Sequence, residues 1–176
     1  MNSAAQSRAT ATRYDRSACQ VGVVHLGFGA FHRAHQSVYI DDYMEMSGDL
    51  RWGIAAVNLR GSESAHFDTA KDDISRHDGY YLKSISSAGV VELRRVRSHV
   101  HFADWSKSAA EAEDLLSRDT VHLVTITVTE SGYYIDPNGN LNVADPVLKS
   151  EIAGGAAQSV YGYLRAALAK RVAKTG

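Results

Sequence analysis

Val21-Gly22-Val23-Val24-His25-Leu26-Gly27-Phe28-Gly29-Ala30-Phe31-His32-Arg33-Ala34-His35 is the stretch whose reading decides the fold. A β-branched run leads into Gly27-x-Gly29, and an amphipathic pattern follows at once. In this strand–turn–helix order, glycines permit a tight turn and a close backbone approach. The helix start offers free N–H groups and a partial positive charge to a dinucleotide pyrophosphate. Gly27, Phe28, Gly29 and Ala30 are therefore candidate contacts. Phe31, His32 and Arg33 fall in the first helical turn, where Arg33 can add a charge-assisted bond to a phosphate. His32 stands where the fingerprint normally carries Gly or Ala, and it reads either as a neighbour of the phosphates and ribose or as a packing residue. On spacing alone the match is partial, and a glycine turn in an ordinary βα unit stays open as the alternative.

Working outward, Val21–Leu26 reads as a buried first strand. Phe31, Ala34, His35, Val38, Tyr39 and Met46 recur at helical spacing and predict one helix over 31–47. Trp52–Asn58 reads as the neighbouring parallel strand, and 62–71 as a short helix. Tyr80–Ser86 and Val90–Arg97 flank Ser87-Ala88-Gly89, a hairpin turn. Ser108-Ala109-Ala110-Glu111 is a capping box opening a helix to about Ser117. Val121–Thr129 is apolar and β-branched on both faces, which predicts a central parallel strand covered on each side. Asp136-Pro137-Asn138-Gly139 is a turn, Asp145-Pro146 starts a helix, and a last helix spans 156–172. The order predicts an α/β fold with a doubly wound, mostly parallel Rossmann-type sheet, incomplete at its C-terminal end.

The chain has 176 residues, room for one domain. Its formal net charge of −1 implies no polyanionic partner, and no basic stripe with interleaved aromatics suggests nucleic acid. No apolar run is long enough for a membrane span. Cys19 is the only cysteine, which suits a reducing, cytoplasmic setting. The first sixteen residues are rich in Ala, Ser, Thr and Arg with Asp15 the only acid. Residues 1–18 read as a disordered leader, with a transit peptide as the alternative, and 19–176 as a dinucleotide-binding domain.

Several segments together resemble the polyol-specific long-chain dehydrogenases, the family of mannitol 2-dehydrogenase, arabinitol dehydrogenase and fructuronate (mannonate) reductase. They are Gly27 to Gln36, Tyr39-Ile40-Asp41-Asp42, Trp52 to Arg60, Asp78-Gly79-Tyr80-Tyr81, Val128-Thr129-Glu130-Ser131-Gly132-Tyr133 and Asn138 to Asn142. Arg76-His77 departs from the Gln often found there. The resemblance implies hydride transfer between a nicotinamide cofactor, NAD with NADP as the alternative, and a polyol or sugar acid. It implies that the catalytic Lys-x-x-x-x-Asn-x-x-His motif lies in a downstream helical domain. The chain is then an N-terminal fragment without catalytic residues of its own, inactive alone, and of undetermined oligomeric state.

The ribose-reading acid expected at the end of the second strand is absent. The strand ends in Asn58-Leu59-Arg60, so Asn58 and Arg60 are the candidates, with Glu63 the nearest carboxylate. Arg60 suits a 2′-phosphate or stacking on adenine. Glu130, after the predicted central strand, matches a family segment near the nicotinamide and is a candidate auxiliary group. No metal site is expected. His32 and His35 share a helical face without a third ligand, and His99-x-His101 reads as a solvated strand face. Two other classes fit the turn: a stand-alone nucleotide-binding module with regulatory duties, and an S-adenosylmethionine-dependent methyltransferase.

Overall fold

The structure, a computed structural model, describes residues 10–128 and 130–175, without the side chains of Glu130 and Thr175. Its centre is a four-stranded parallel sheet. β2 (Val21–Leu26) pairs with β3 (Gly53–Asn58) and β7 (Leu123–Ile126), and β3 pairs with β6 (His99–Asp104), giving the order β6-β3-β2-β7. A second sheet, β1-β5-β4, holds the predicted hairpin. β4 (Tyr80–Ile85) and β5 (Val91–Val96) are antiparallel, and β1 (Thr10–Ala11) adds in parallel to β5.

Every residue of β2 and β3 is buried, so their side chains must be satisfied on both faces. Along β3 the faces alternate with the two-residue period of a strand. Ala55 and Val57 join Ala112, Leu115, Leu116, Tyr163 and Ala167, from helices α4 (Ala109–Leu116) and α6 (Val160–Thr175). Ala56 joins Phe67 and Ile74 of α3 (Ser64–His77), with Tyr80, Val96 and Phe102. Helices on both faces of a parallel sheet are the doubly wound arrangement expected. The predicted caps are in place. Ser108 Oγ accepts from Glu111 N, and Asp145 opens α5 (Pro146–Ile152) by accepting from Val147 N at 2.8 Å.

Three expectations are corrected. The first helix is not continuous: α1 (Ala30–Ala34) and α2 (Gln36–Ser47) meet at His35, with φ −124° and ψ −83°. The hydroxyl of Ser37 donates to the carbonyls of His32 (3.1 Å) and Arg33 (2.9 Å), and Tyr80 OH donates to Arg33 O (2.7 Å). Side-chain donors thus take carbonyls that helix N–H groups would otherwise use. The break rotates the buried face. Phe31 (64%), Tyr39 (70%) and Met46 (86%) are exposed, while His32, Ser37, Asp41 and Met44 point inward.

Secondly, the central strand predicted over Val121–Thr129, of which Thr129 lies outside the described residues, is the short edge strand β7. β7 has only β2 as a neighbour, and Leu123 and Val124 are exposed, because among the described residues nothing pairs with its outer edge. Thirdly, residues 10–18, placed in a leader by composition, pack onto the fold. Besides β1 there is a 3₁₀ turn at Arg16–Ala18, and Arg16 Nε donates to His99 O at 3.1 Å. The backbone N–H of Arg97 and the hydroxyl of Tyr14 both reach the buried Asp41 carboxylate, at 3.0 and 2.6 Å. Charged and aromatic groups therefore fasten a segment whose composition alone reads as disordered.

Candidate functional site

The C-terminal edge of the parallel sheet gathers the turn after β2, the end of β3 at Asn58, the end of β6 at Asp104 and the segment after β7. This is where open α/β sheets take their ligands. Gly27 has φ +111°, a conformation costly for any residue with a Cβ. Its N–H still donates to Val57 O at 2.8 Å, so the turn leaves β2 while tied to β3. Gly29 caps α1 in extended conformation, and a Cβ placed there would meet nothing within 4 Å. The turn is therefore constrained on its strand side and open at Gly29. α1 has only five residues, so the backbone of the turn, more than an extended helix dipole, is what it offers an anion.

The predicted contacts separate into outward and inward groups. Ala30 and Phe31 face solvent, and the Phe31 ring stacks on His35 at 4.4 Å. Arg33 lies with its guanidinium carbon 5.1 Å from the centre of the Phe28 ring, and its Nε is buried without a hydrogen-bond partner. Phe28 itself points in, edge-on to His99, Phe102, Phe67 and Tyr80 at 5.1 to 6.2 Å. It anchors the turn to the core. His32 is also turned inward, 1% exposed, with Nε2 2.9 Å from His99 Nε2 and its ring stacked on His25 at 3.5 Å. Desolvation, then the charge of Arg33, outweigh the Gln36 hydrogen bond and depress His32 to about 4; His25 falls to about 3 through desolvation and His32. Both are neutral near pH 7.

The reading of His99-x-His101 as a solvated face is overturned at His99, which is 1% exposed because α1 and Phe28 cover that side of β6. His35 is exposed at the junction of α1 and α2, whereas His32 is buried. Among the described residues no three His, Cys, Asp or Glu side chains are grouped to hold a metal ion, and no helix is long and apolar enough to cross a membrane.

At the tip of β3, Asn58 is buried. Its Nδ2 donates to Arg60 O (3.0 Å) and Asp104 Oδ2 (3.1 Å), and its Oδ1 accepts from Arg60 N (3.3 Å). It shapes the loop that bears Arg60. Arg60 is exposed and pairs with Glu63 at 3.3 Å. Glu130 begins a 3₁₀ turn after β7, but its side chain lies outside the described residues.

Asp104 was missed by the sequence reading. It accepts from Asn58, from Ser64 Oγ, and from Ser106 N (3.0 Å) and Oγ (2.7 Å). Burial pushes its carboxyl up, but these hydrogen bonds together hold it below the ordinary range. The Asp104-x-Ser106 spacing of an Asx turn was the available signal. Its partners Asn58 and Ser64 are brought to it only by the sheet.

The profile of the mannitol dehydrogenase Rossmann domain matches residues 21–175. A mannitol 2-dehydrogenase of Pyrenophora tritici-repentis is 32% identical over 160 residues, covering 90% of this chain and 28% of that protein. A D-arabinitol 4-dehydrogenase of Klebsiella pneumoniae is 31% identical over 150 residues, 85% of this chain and 32% of the other. The solved Pseudomonas fluorescens mannitol 2-dehydrogenase, a ternary complex with NAD and D-mannitol, has a TM-score of 0.85 and 29% identity over 95% of this chain and 34% of its own. The chain thus spans about a third of the length of these relatives. With a profile match running from β2 to the end of α6, on a sheet whose C-terminal edge carries the open glycine turn, the chain belongs to the mannitol dehydrogenase family and carries its Rossmann domain.

Proposed function

We propose that this chain is the dinucleotide-binding part of an oxidoreductase that interconverts a sugar alcohol or sugar acid and its keto form. The observation that carries the reading is the open turn at Gly29, beside the unpartnered Nε of Arg33, at the C-terminal edge of a sheet similar to one solved with NAD and D-mannitol. Both features suit a dinucleotide: the first leaves room for close backbone approach, and the second is a cation with donor capacity to spare. NAD, when bound, supplies the hydride acceptor.

The chain's own residues bind and orient. The Gly27–Gly29 backbone and Arg33 hold the pyrophosphate, Asn58 and Asp104 set the loop that bears Arg60, and Arg60 faces the adenosine ribose. Arg60 makes NADP the competing dinucleotide. Glu130, following β7 at the same edge, is assigned an auxiliary role near the nicotinamide. The setting is cytoplasmic, where the single thiol of Cys19 stays reduced.

The histidines nearest the turn, His25 and His32, are buried and lowered to about 3 and about 4, which makes them weak bases near pH 7. The chain alone is therefore expected to bind NAD(H) and to turn over no polyol. Calorimetric titration with NADH and with S-adenosylmethionine, beside a steady-state screen of mannitol, arabinitol, sorbitol and mannonate, tests both parts. Binding of S-adenosylmethionine in place of NADH would replace the reading with a methyltransferase. Turnover at an enzymatic rate would place a catalytic base within this chain.

A further inference from the structure

Beneath the glycine turn lies a buried cluster that none of the chemistry above uses. His25 sits two residues before Gly27, and His32 three residues after Gly29. Their rings stack at 3.5 Å with an interplanar angle of 8°, so the segment between them is closed into a loop by the stack. Gln36, the first residue of α2, fixes both rings. Its Oε1, an acceptor only, lies 2.9 Å from His32 Nδ1 and 3.0 Å from Thr125 Oγ1, which donates to it.

The rest follows by elimination. His32 must carry its proton on Nδ1. Its Nε2 is then a lone pair, so the His99 Nε2 2.9 Å away must be the donor. The Thr125 hydroxyl has spent its hydrogen on Gln36 and must accept from His25 Nδ1 at 2.8 Å. This leaves His25 Nε2 bare, buried and without a partner, 4.0 Å from where a Cβ of Gly27 would stand. One amide oxygen thereby sets the tautomers of three imidazoles on β2, α1 and β6, and ties them to β7.

We propose that Gln36 is a positioning residue: acting through His25 and His32, it clasps the two ends of the Gly27–Gly29 turn and holds the turn's N–H groups in place for the dinucleotide. The inference rests on the dinucleotide reading above. It accounts for a line of polar rings running through an otherwise apolar face, where leucines would pack at lower desolvation cost. It also accounts for the helix break at His35, which lets α1 follow the turn while Gln36 starts a separate helix and reaches back to His32.

The test uses the full 176-residue chain labelled with ¹⁵N. Long-range ¹H–¹⁵N spectra should show His25 and His32 protonated on Nδ1 and His99 on Nε2. A proton on His32 Nε2 overturns the clasp whatever the variants do. NADH titrations should then find Gln36→Leu, which removes both bonds, weakened about tenfold, the scale of two modest hydrogen bonds. Gln36→Glu, which keeps both acceptor interactions, should restore affinity to within a factor of about three and keep the same tautomers. A role in folding alone would lower the melting temperature of Gln36→Leu without changing its NADH affinity below the melt, and that outcome sinks the proposal. If Gln36→Leu does not fold, the Gln36→Glu affinity and the tautomers of the unsubstituted chain still decide. No NADH binding by the unsubstituted chain sinks the dinucleotide reading and the positioning role with it; binding that Gln36→Leu leaves untouched removes the clasp alone.

Discussion

At Gly29 the backbone is extended and the space above it empty, so a valine has room in the free chain and conflict only with a ligand. Gly29→Val is expected to fold with unchanged circular dichroism and to lose about 2 kcal/mol or more of NADH binding, about thirtyfold in Kd. Equal affinity in calorimetry would remove the turn from the cofactor site. Arg60 makes a different kind of prediction. Its side chain is 59% exposed and shared with Glu63, so solvent screens it and its leverage is limited. Arg60→Asp supplies an acceptor for a ribose hydroxyl and repels a 2′-phosphate. The ratio of NADP to NAD affinity should fall about tenfold, and a fixed ratio places Arg60 away from the ribose. Gly27, Gly29 and Arg33 were readable as a turn and its neighbouring cation because their roles are local. Phe28 and Asn58 read as cofactor contacts and His32 as either a contact or a packing residue, and the structure turns all three in. Their partners Phe102, His99 and Asp104 come from a strand far along the chain, and nothing in the local spacing announces them.

Among the elements, α2 shows how much one carboxylate can organise. Asp41 is 0% exposed and accepts from Thr12 Oγ1 (3.2 Å), Tyr14 OH (2.6 Å), Arg97 N (3.0 Å) and Arg94 Nη2 (3.0 Å). It joins residues 12–14 and the end of the hairpin to the helix. Burial and this carboxylate together push the Tyr14 hydroxyl above its ordinary range, so it remains a donor. Asp41→Ala takes this acceptor from Thr12, Tyr14 and Arg97 N, while Arg94 keeps its pair with Asp42, and should cost about 3–5 kcal/mol in urea unfolding; a loss below about 1 kcal/mol would show that water replaces the carboxylate. Elements with local signals were legible: β2 and β3 from their apolar runs, the hairpin from Ser87-Ala88-Gly89, α4 and α5 from their caps. The break between α1 and α2 was not, because it depends on Ser37 and on Tyr80 from another strand. β7 read as central because its composition is that of a covered strand; its place at the edge is set by which strands pair, a property of the sheet and not of the segment.

For the molecule as a whole, the buried histidines set an acid limit. The ordinary histidine value is 6.5, and in the fold His25 is lowered to about 3 and His32 to about 4, chiefly by desolvation, with His99 lowered well below it. Below pH 6.5 the unfolded chain therefore binds protons that the folded chain refuses, and stability falls with falling pH until the folded values are reached. Asp104 and Glu151 titrate too low to contribute in the upper part of that window. The urea midpoint should thus decline steadily between pH 6.5 and about 4.5, and a flat profile there would mean that the cluster admits water or protons. The overall architecture was legible because alternating strands and helices admit few topologies. The buried polar cluster was not, since each histidine alone has an ordinary local context.

The burial gradient across the sheet also has a meaning in time. β2 and β3 are sealed on both faces and paired on both sides, whereas among the described residues β7 is paired on one side and open outward. Amides in the two inner strands can exchange with solvent only when the whole fold opens, while those on the outer edge of β7 exchange from the native state. Gly27, whose N–H is held by Val57, belongs to the slow class although it begins the turn. The ligand-facing end of the turn is thus hinged on the most slowly exchanging part of the molecule, and its residual motion begins only beyond Gly27.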